Sequence, residues 1–388
     1  MKGHLNRWMA AVGLFLGIVA VALRLWVQNA GPHQVEKWYV GGLYQAVAPV
    51  GLRLNSLLPF SITEVLLAMV LVCLPALLIW WIRRLIRRPR ERAAFLRRTG
   101  SVLLLAAGTA GFLFMGTGGG CYYRLSFAQI SGLPVQDSSV GELAGLCVQL
   151  AQRTNQVAGL VERDEETGEM VSARSFAQWT QEAQETYRQL ENLYGGVLAN
   201  GSLARPKQVF FDQAMSYSRI TGIYFFATFE PNINTDTPHY SIPYTICHEM
   251  AHACGFMRED EANYIAYLVS SQSDDPEFQY SGLSAALSNS LNALASAGDA
   301  ELYAAVCQLV DDRIWADYQA NNAYWDQYET QYGEFAEAVN DTYLKANDQT
   351  DAVRSYGRMV DLLLAEYRAG GGRPVQLVEA SSQPAVEG

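Results

Sequence analysis

The first 120 residues hold three long apolar runs, at about 9–27, 62–82 and 102–117. Where lipid replaces water, the backbone must satisfy its own polar groups, so about 20 apolar residues in a row predict a membrane-spanning helix. Arg24 sits near the end of the first run, where its long side chain can reach the headgroups. That run is too long for a removable secretion signal and lacks a small-residue cleavage site. The second run ends on Trp80 and Trp81, which suit a membrane interface. Between the second and third runs, residues 83–98 carry eight arginines. Such a basic turn is expected on the cytoplasmic side. The N-terminus then also falls in the cytoplasm, and residues 28–61 and everything after about residue 120 fall outside. This predicts a multi-pass plasma-membrane protein with an extracytoplasmic domain, and makes the lipid bilayer its first partner.

Charge divides the chain at the same place. Residues 1–120 hold 13 Lys and Arg against 3 Asp and Glu, whereas the remainder holds 15 against 36. So acidic a domain excludes nucleic acid as a partner. The division is therefore an anchor at 1–120, a folded domain at 121–369 and a disordered tail at 370–388, which opens with glycines and proline. The six cysteines are too few and too scattered for a disulfide scaffold, and Cys247 and Cys254 read as small buried residues.

Within the domain, apolar residues recur at helical spacing over 139–161 and 173–194. Residues 207–211 and Gly222 to Phe229 are rich in β-branched and aromatic residues and read as strands. Residues 230–240 have the Pro, Asn and Asp content of a loop, and His239 within it reads as an unligated histidine. Residues 275–370 read as helices whose Tyr and Trp residues pack together. The fold class is α+β, mainly helical: three N-terminal transmembrane helices and a soluble domain with a small sheet.

The chemistry-bearing stretch is Tyr244-Thr-Ile-Cys-His-Glu-Met-Ala-His252. His248, Glu249 and His252 spell H-E-x-x-H. Residues four apart share one helix face, so both imidazoles can reach one metal ion. Zn2+ is the expected ion, and Glu249 is placed as a general base for a water that the metal acidifies. Ser241 is expected to cap this helix, Pro243 to open it and Gly255 to end it.

A catalytic zinc needs a third protein ligand. The metzincin pattern would supply a histidine at 258, but that residue is Arg258. The nearby candidates are carboxylates. A helix continued past His252 would carry Glu259 about two turns, ~10 Å, too far. If a second helix starts after Gly255, Glu261 shares an apolar face with Ile265 and Leu268, where a carboxylate is costly to bury unless paired or metal-bound. Glu261 is therefore the expected ligand and Glu259 the alternative.

The segment His248-Glu-Met-Ala-His-Ala-Cys-Gly-Phe-Met-Arg-Glu-Asp-Glu-Ala-Asn-Tyr264 resembles the core of a bacterial membrane-protein family, domain of unknown function 3810. So do Tyr122-Tyr123-Arg124, Val339-Asn-Asp-Thr-Tyr-Leu-Lys-Ala-Asn347 and Ser355-Tyr-Gly-Arg-Met-Val-Asp-Leu-Leu-Leu364. The resemblance implies a zincin-like metallopeptidase domain. Glu261 in Glu-Ala-Asn is similar to the zinc-ligating glutamate of short-spaced zincins, and Tyr356 is the residue it suggests as oxyanion donor, with Tyr343 and Lys345 nearby.

The function expected is a membrane-anchored zinc peptidase that lays a peptide or protein substrate along Gly222 to Phe229. The alternatives are a non-catalytic, zinc-stabilised membrane sensor or scaffold, and a zinc amidohydrolase acting on a non-peptide envelope substrate.

Overall fold

The computed structural model describes residues 2–330, 333, 338, 342 and 355–370. Its first helix, α1 (Lys2–Ala30), is one of three that are long and apolar enough to cross a membrane. After Gly31 the chain does not wander as a loop. A π-helical segment (Val35–Tyr44) runs into α2 (Gln45–Ser56). Together they bury Val35, Tyr39, Val40, Tyr44, Ala48 and Leu52 in the core shared with the rest of the domain. The piece between the first two spans is thus part of the folded body.

The second and third apolar helices are α3 (Ile62–Arg87) and α4 (Arg92–Thr117). α1 and α4 cross in close contact: a Cβ on Gly108 would stand 2.0 Å from the Gly13 carbonyl oxygen. Gly13-Leu-Phe-Leu-Gly17 therefore works as a small-residue packing face. α3 buries no residue along its length. The arginine-rich turn joins α3 to α4 at the end remote from the folded domain. At the other end Gln28 Nε2 donates to the Tyr123 hydroxyl (3.2 Å), and Phe114 packs edge-on to Phe226 (5.1 Å between centroids).

Beyond the spans, α5 (Val140–Ala158) and α6 (Phe176–Gln189) fall where the periodicity places them. Each opens with a capping box, Ser139 with Glu142 and Ser175 with Gln178. The sheet departs from expectation. Its strands are β1 (Lys207–Gln208), β2 (Gly222–Phe225) and β3 (Glu230–Ile233), in the order β1-β3-β2. Both predicted strands are shorter than 207–211 and 222–229, and the stretch read as a loop contains the central strand. Its turn-like residues have other work. Glu230 is fully buried and accepts from the amides of Ile62 (2.8 Å) and Thr63 (2.7 Å), capping α3, while Asn232 takes the Ser61 hydroxyl (2.6 Å).

β2 is an edge strand, antiparallel to β3. The Asn234 amide donates to the Thr221 carbonyl (2.9 Å), so Ile223 and Phe225 are the residues bonded to β3. The main-chain groups of Gly222 and Tyr224 face away from β3, and the Tyr224 amide bonds to Glu249 of the next helix.

That helix is α7 (Ile242–Ala253), followed by α8 (Glu259–Gln272), α9 (Pro276–Ser296), α10 (Asp312–Asp326) and α11 (Ser355–Ala369). The aromatic residues of the C-terminal region act in packing and tethering. Trp315 is edge-on to Tyr318, and the hydroxyls of Tyr324 (2.9 Å) and Tyr328 (3.2 Å) both donate to Asp236.

Candidate metal centre

α7 carries the H-E-x-x-H stretch and is packed on all sides. Ser241 does not cap it with its side chain. Its hydroxyl is spent on the Pro238 carbonyl (2.8 Å), because a short 3-10 turn at His239–Ser241 leads into the helix. The C-terminus follows expectation. Gly255 has φ +83°, its amide donates to the His252 carbonyl (2.9 Å), and the Phe256 amide reaches back to Ala251 (3.3 Å). This pair of bonds, with a left-handed glycine between, is a Schellman stop. Residues outside the motif brace the same end. The Tyr44 hydroxyl donates to the Ala253 carbonyl (2.9 Å), and Arg124, stacked on Phe256, donates to Cys254 (3.2 Å). Arg124 is fully buried and pairs with Glu36 (2.6 Å).

The turn at Gly255 decides which carboxylate meets the two histidines. It folds the chain back so that α8 starts beside His252 with Glu259 as its first residue. Nε2 of His248 lies 3.1 Å from Nε2 of His252 and 3.2 Å from the Glu259 carboxylate, and the His252 nitrogen lies 3.7 Å from that carboxylate. The continuous-helix distance that counted against Glu259 is cancelled by the reversal. Glu261 is directed elsewhere, contrary to expectation. Its Oε1 accepts from the Phe127 amide (2.8 Å) and pairs with Arg258 (3.0 Å), its Oε2 is buried without a hydrogen-bond partner, and it is not among the donors that converge with the histidines.

The donor set suits a zinc ion. Tetrahedral ligands at about 2.0–2.1 Å stand about 3.3 Å from one another, close to the separations found here. The Nδ1–H of His252 donates to the Phe256 carbonyl (2.7 Å), which leaves the Nε2 lone pair facing the other two donors. Among the described residues, these three are the one group of histidine, cysteine and acidic side chains whose donor atoms converge, all within 4.8 Å. Glu259 is the most exposed of them at 34%, against 14% and 10% for the histidines, so the group opens to solvent on its side.

Glu249 stands beside this group with its carboxylate buried, and one oxygen has no hydrogen-bond partner. β2 covers it: a Cβ on Gly222 would sit 2.6 Å from Glu249 Oε1. Only glycine lets a backbone pass this close to the carboxylate.

The electrostatics separate the four groups. Burial pushes Glu249 up to about 8, against the pull of His248. Burial also pushes His252 down to about 4. For His248, burial acts against the charged form, but Glu259 and Glu249 outweigh it and leave the imidazole above its ordinary value. Burial would raise Glu259 too, yet the two histidines hold it down to about 2.

Several residues missed in the sequence complete the surroundings. The Tyr224 ring lies 6.4 Å from that of His252, and the Tyr244 ring 6.4 Å from that of His248. The Tyr244 hydroxyl donates to Asn263 Oδ1 (3.0 Å), tying α7 to α8. Gly222 and Tyr224 lie in the predicted strand, but nothing in a single sequence marks which strand residue meets Glu249. His239 accepts from the Ser172 amide (3.0 Å) and stands apart from the metal group. Cys247 and Cys254 are buried thiols, pushed up by burial, as expected of packing residues. The Tyr356 side chain, and all of Tyr343 and Lys345, lie outside the described residues.

Residues 39–364 match a family described as "Protein of unknown function (DUF3810)". The chain belongs to this family. The match begins inside the π-helical segment and ends in α11, so it takes in the second and third apolar helices, the sheet and the metal group together, and leaves out α1. Comparison with curated proteins and with solved structures gives no match.

Proposed function

We propose that this family member is a membrane-anchored zinc peptidase whose metal is held by His248, His252 and Glu259. The observation that carries the reading is the convergence of those three donors beside a buried, partly unsatisfied carboxylate, Glu249. A zinc ion bound there would polarise a peptide carbonyl and lower the pKa of water to about 7. Glu249 takes the proton from the attacking water and returns it to the leaving amine. The water oxygen bonds to the carbonyl carbon, the C–N bond breaks, and no other reactant is needed.

The edge of β2 supports a peptide rather than a small amide as substrate. Its Gly222 main-chain groups and the Tyr224 carbonyl face away from β3 and can pair with an extended chain, while the Tyr224 amide is taken by Glu249. A purely structural zinc has no use for a base at its side, so the partnerless oxygen of Glu249 argues against the scaffold alternative. The arginine-rich turn at the far end of α3 and α4 favours the cytoplasm, which supports an extracytoplasmic metal domain.

The test is hydrolysis of a mixed peptide library by the full chain in detergent. The Glu249→Gln variant is expected to retain its metal and lose about 10²- to 10⁴-fold in rate. Equal cleavage by both chains would refute the assignment.

A further inference from the structure

The sheet that lines the metal group is also the part of the domain fastened to the membrane helices. Glu230 of β3 caps the first turn of α3, and Thr63 of that turn meets the Thr228 hydroxyl (2.7 Å). Phe226, one residue past β2, packs on Phe114 inside α4. Lys207 of β1 is buried, and its ammonium donates to the carbonyls of Asn55 and Leu58, just before α3. The outer ends of the spans and the β2–β3 turn are one contiguous layer.

Phe210 and Phe211 fix the level of the bilayer independently. Their amides donate to Glu64 in the first turn of α3 (2.8 and 2.7 Å), while their side chains are left 81% and 58% exposed. Two large apolar rings held in the open at the mouth of a membrane span suit the headgroup and acyl boundary, where Phe is favoured. This arrangement suits a sheet held at the lipid surface.

β2 then measures a distance. It leads from Phe225, paired with Glu230 at the membrane end, to Gly222 against Glu249. At about 3.3 Å per residue this is about 10 Å. A chain extended along the β2 edge from the lipid surface comes under Glu249 after only a few residues.

Resting on the peptidase reading, we propose that the substrate is the juxtamembrane segment of a membrane-anchored polypeptide, cut about three to eight residues beyond its transmembrane helix. A single-span polypeptide with an unstructured 30-residue tail, an arbitrary design of about that length, would be placed in lipid vesicles with the full chain and the cuts mapped by mass spectrometry. Cuts are expected close to the span, and are expected to stay at that distance when an insert moves the tail sequence outward. The tail alone, as a free peptide, is expected to be cut at least about tenfold more slowly.

Cuts that follow the tail sequence outward, or equal cleavage of the free peptide, would overturn the proposal while leaving the peptidase reading intact. A second readout does not depend on turnover. In the Glu249→Gln chain, a photoreactive residue at position 223, where Ile223 is 43% exposed on β2, is expected to crosslink the membrane-tethered tail near its span. Crosslinking without any cleavage by the unmodified chain would sink the peptidase reading and keep the membrane-proximal partner. Neither crosslink nor cleavage would overturn both.

Discussion

Two buried polar clusters stand about one strand apart, and they are built on opposite principles. Where β3 meets α3, every carboxylate is answered: Glu230 takes two amides and the Thr63 hydroxyl, and Glu64 takes the amides of Phe210 and Phe211. Where β2 meets α7, donors and acceptors of like character face one another. Two imidazole nitrogens lie 3.1 Å apart, and Glu249 Oε2 and His248 Nδ1 are buried without partners. A satisfied cluster holds a fold together, whereas unpaired buried atoms beside converging metal donors suit a site that takes another group. The first cluster seats the sheet on a membrane helix, and the second uses that sheet as a wall.

The contrast can be broken from either side. The larger effect belongs to the docking cluster. Replacing Glu230 with Ala orphans the Ile62 and Thr63 amides and leaves the Thr63 hydroxyl with Thr228 in place of the carboxylate, and is expected to cost about 3–5 kcal/mol in stability. Thermal unfolding in detergent would show it as a lowered Tm, while the folded fraction keeps its metal. A Glu230→Ala chain with unchanged Tm and lost zinc would reverse the roles assigned to the two clusters.

The smaller effect belongs to the wall beside Glu249. Gly222→Ala puts a methyl group where Glu249 Oε1 stands, 2.6 Å away. Displacing a base by a fraction of an ångström to an ångström is expected to cost about 10- to 100-fold in rate, about 1.4–2.7 kcal/mol of barrier. Metal content and Tm should stay near those of the unsubstituted chain. An unchanged rate in this variant would mean that Glu249 does not need its present position.

The sequence is most legible where a single period or spacing carries the signal. The apolar runs announce α1, α3 and α4, and the four-residue step between His248 and His252 announces a shared helix face. Legibility fails where a residue acts across the chain. Glu230-Pro-Asn-Ile reads as a turn because its polar side chains serve α3, 168 positions away for Glu230 and Ile62, rather than the strand itself. Residues 35–56 carry no structural signal of their own because their buried faces meet elements that follow much later, as Tyr44 meets Ala253. Glu261 reads as the ligand from its place on an apolar face, but Arg258 and the Phe127 amide hold its Oε1 and it does not converge with the histidines. Gly255 reads as a stop, but the direction in which it returns the chain, which brings Glu259 to the histidines, is set by the packing of α8 and not by local sequence.

The central claim is the ligand set, and zinc content tests it most directly. Elemental analysis of the purified full chain is expected to find about one zinc per chain, retained in Glu261→Gln and lost on dialysis in Glu259→Gln, as in His248→Ala and His252→Ala. Zinc that survives in Glu259→Gln and disappears in Glu261→Gln, or an unsubstituted chain that binds none, would contradict the account.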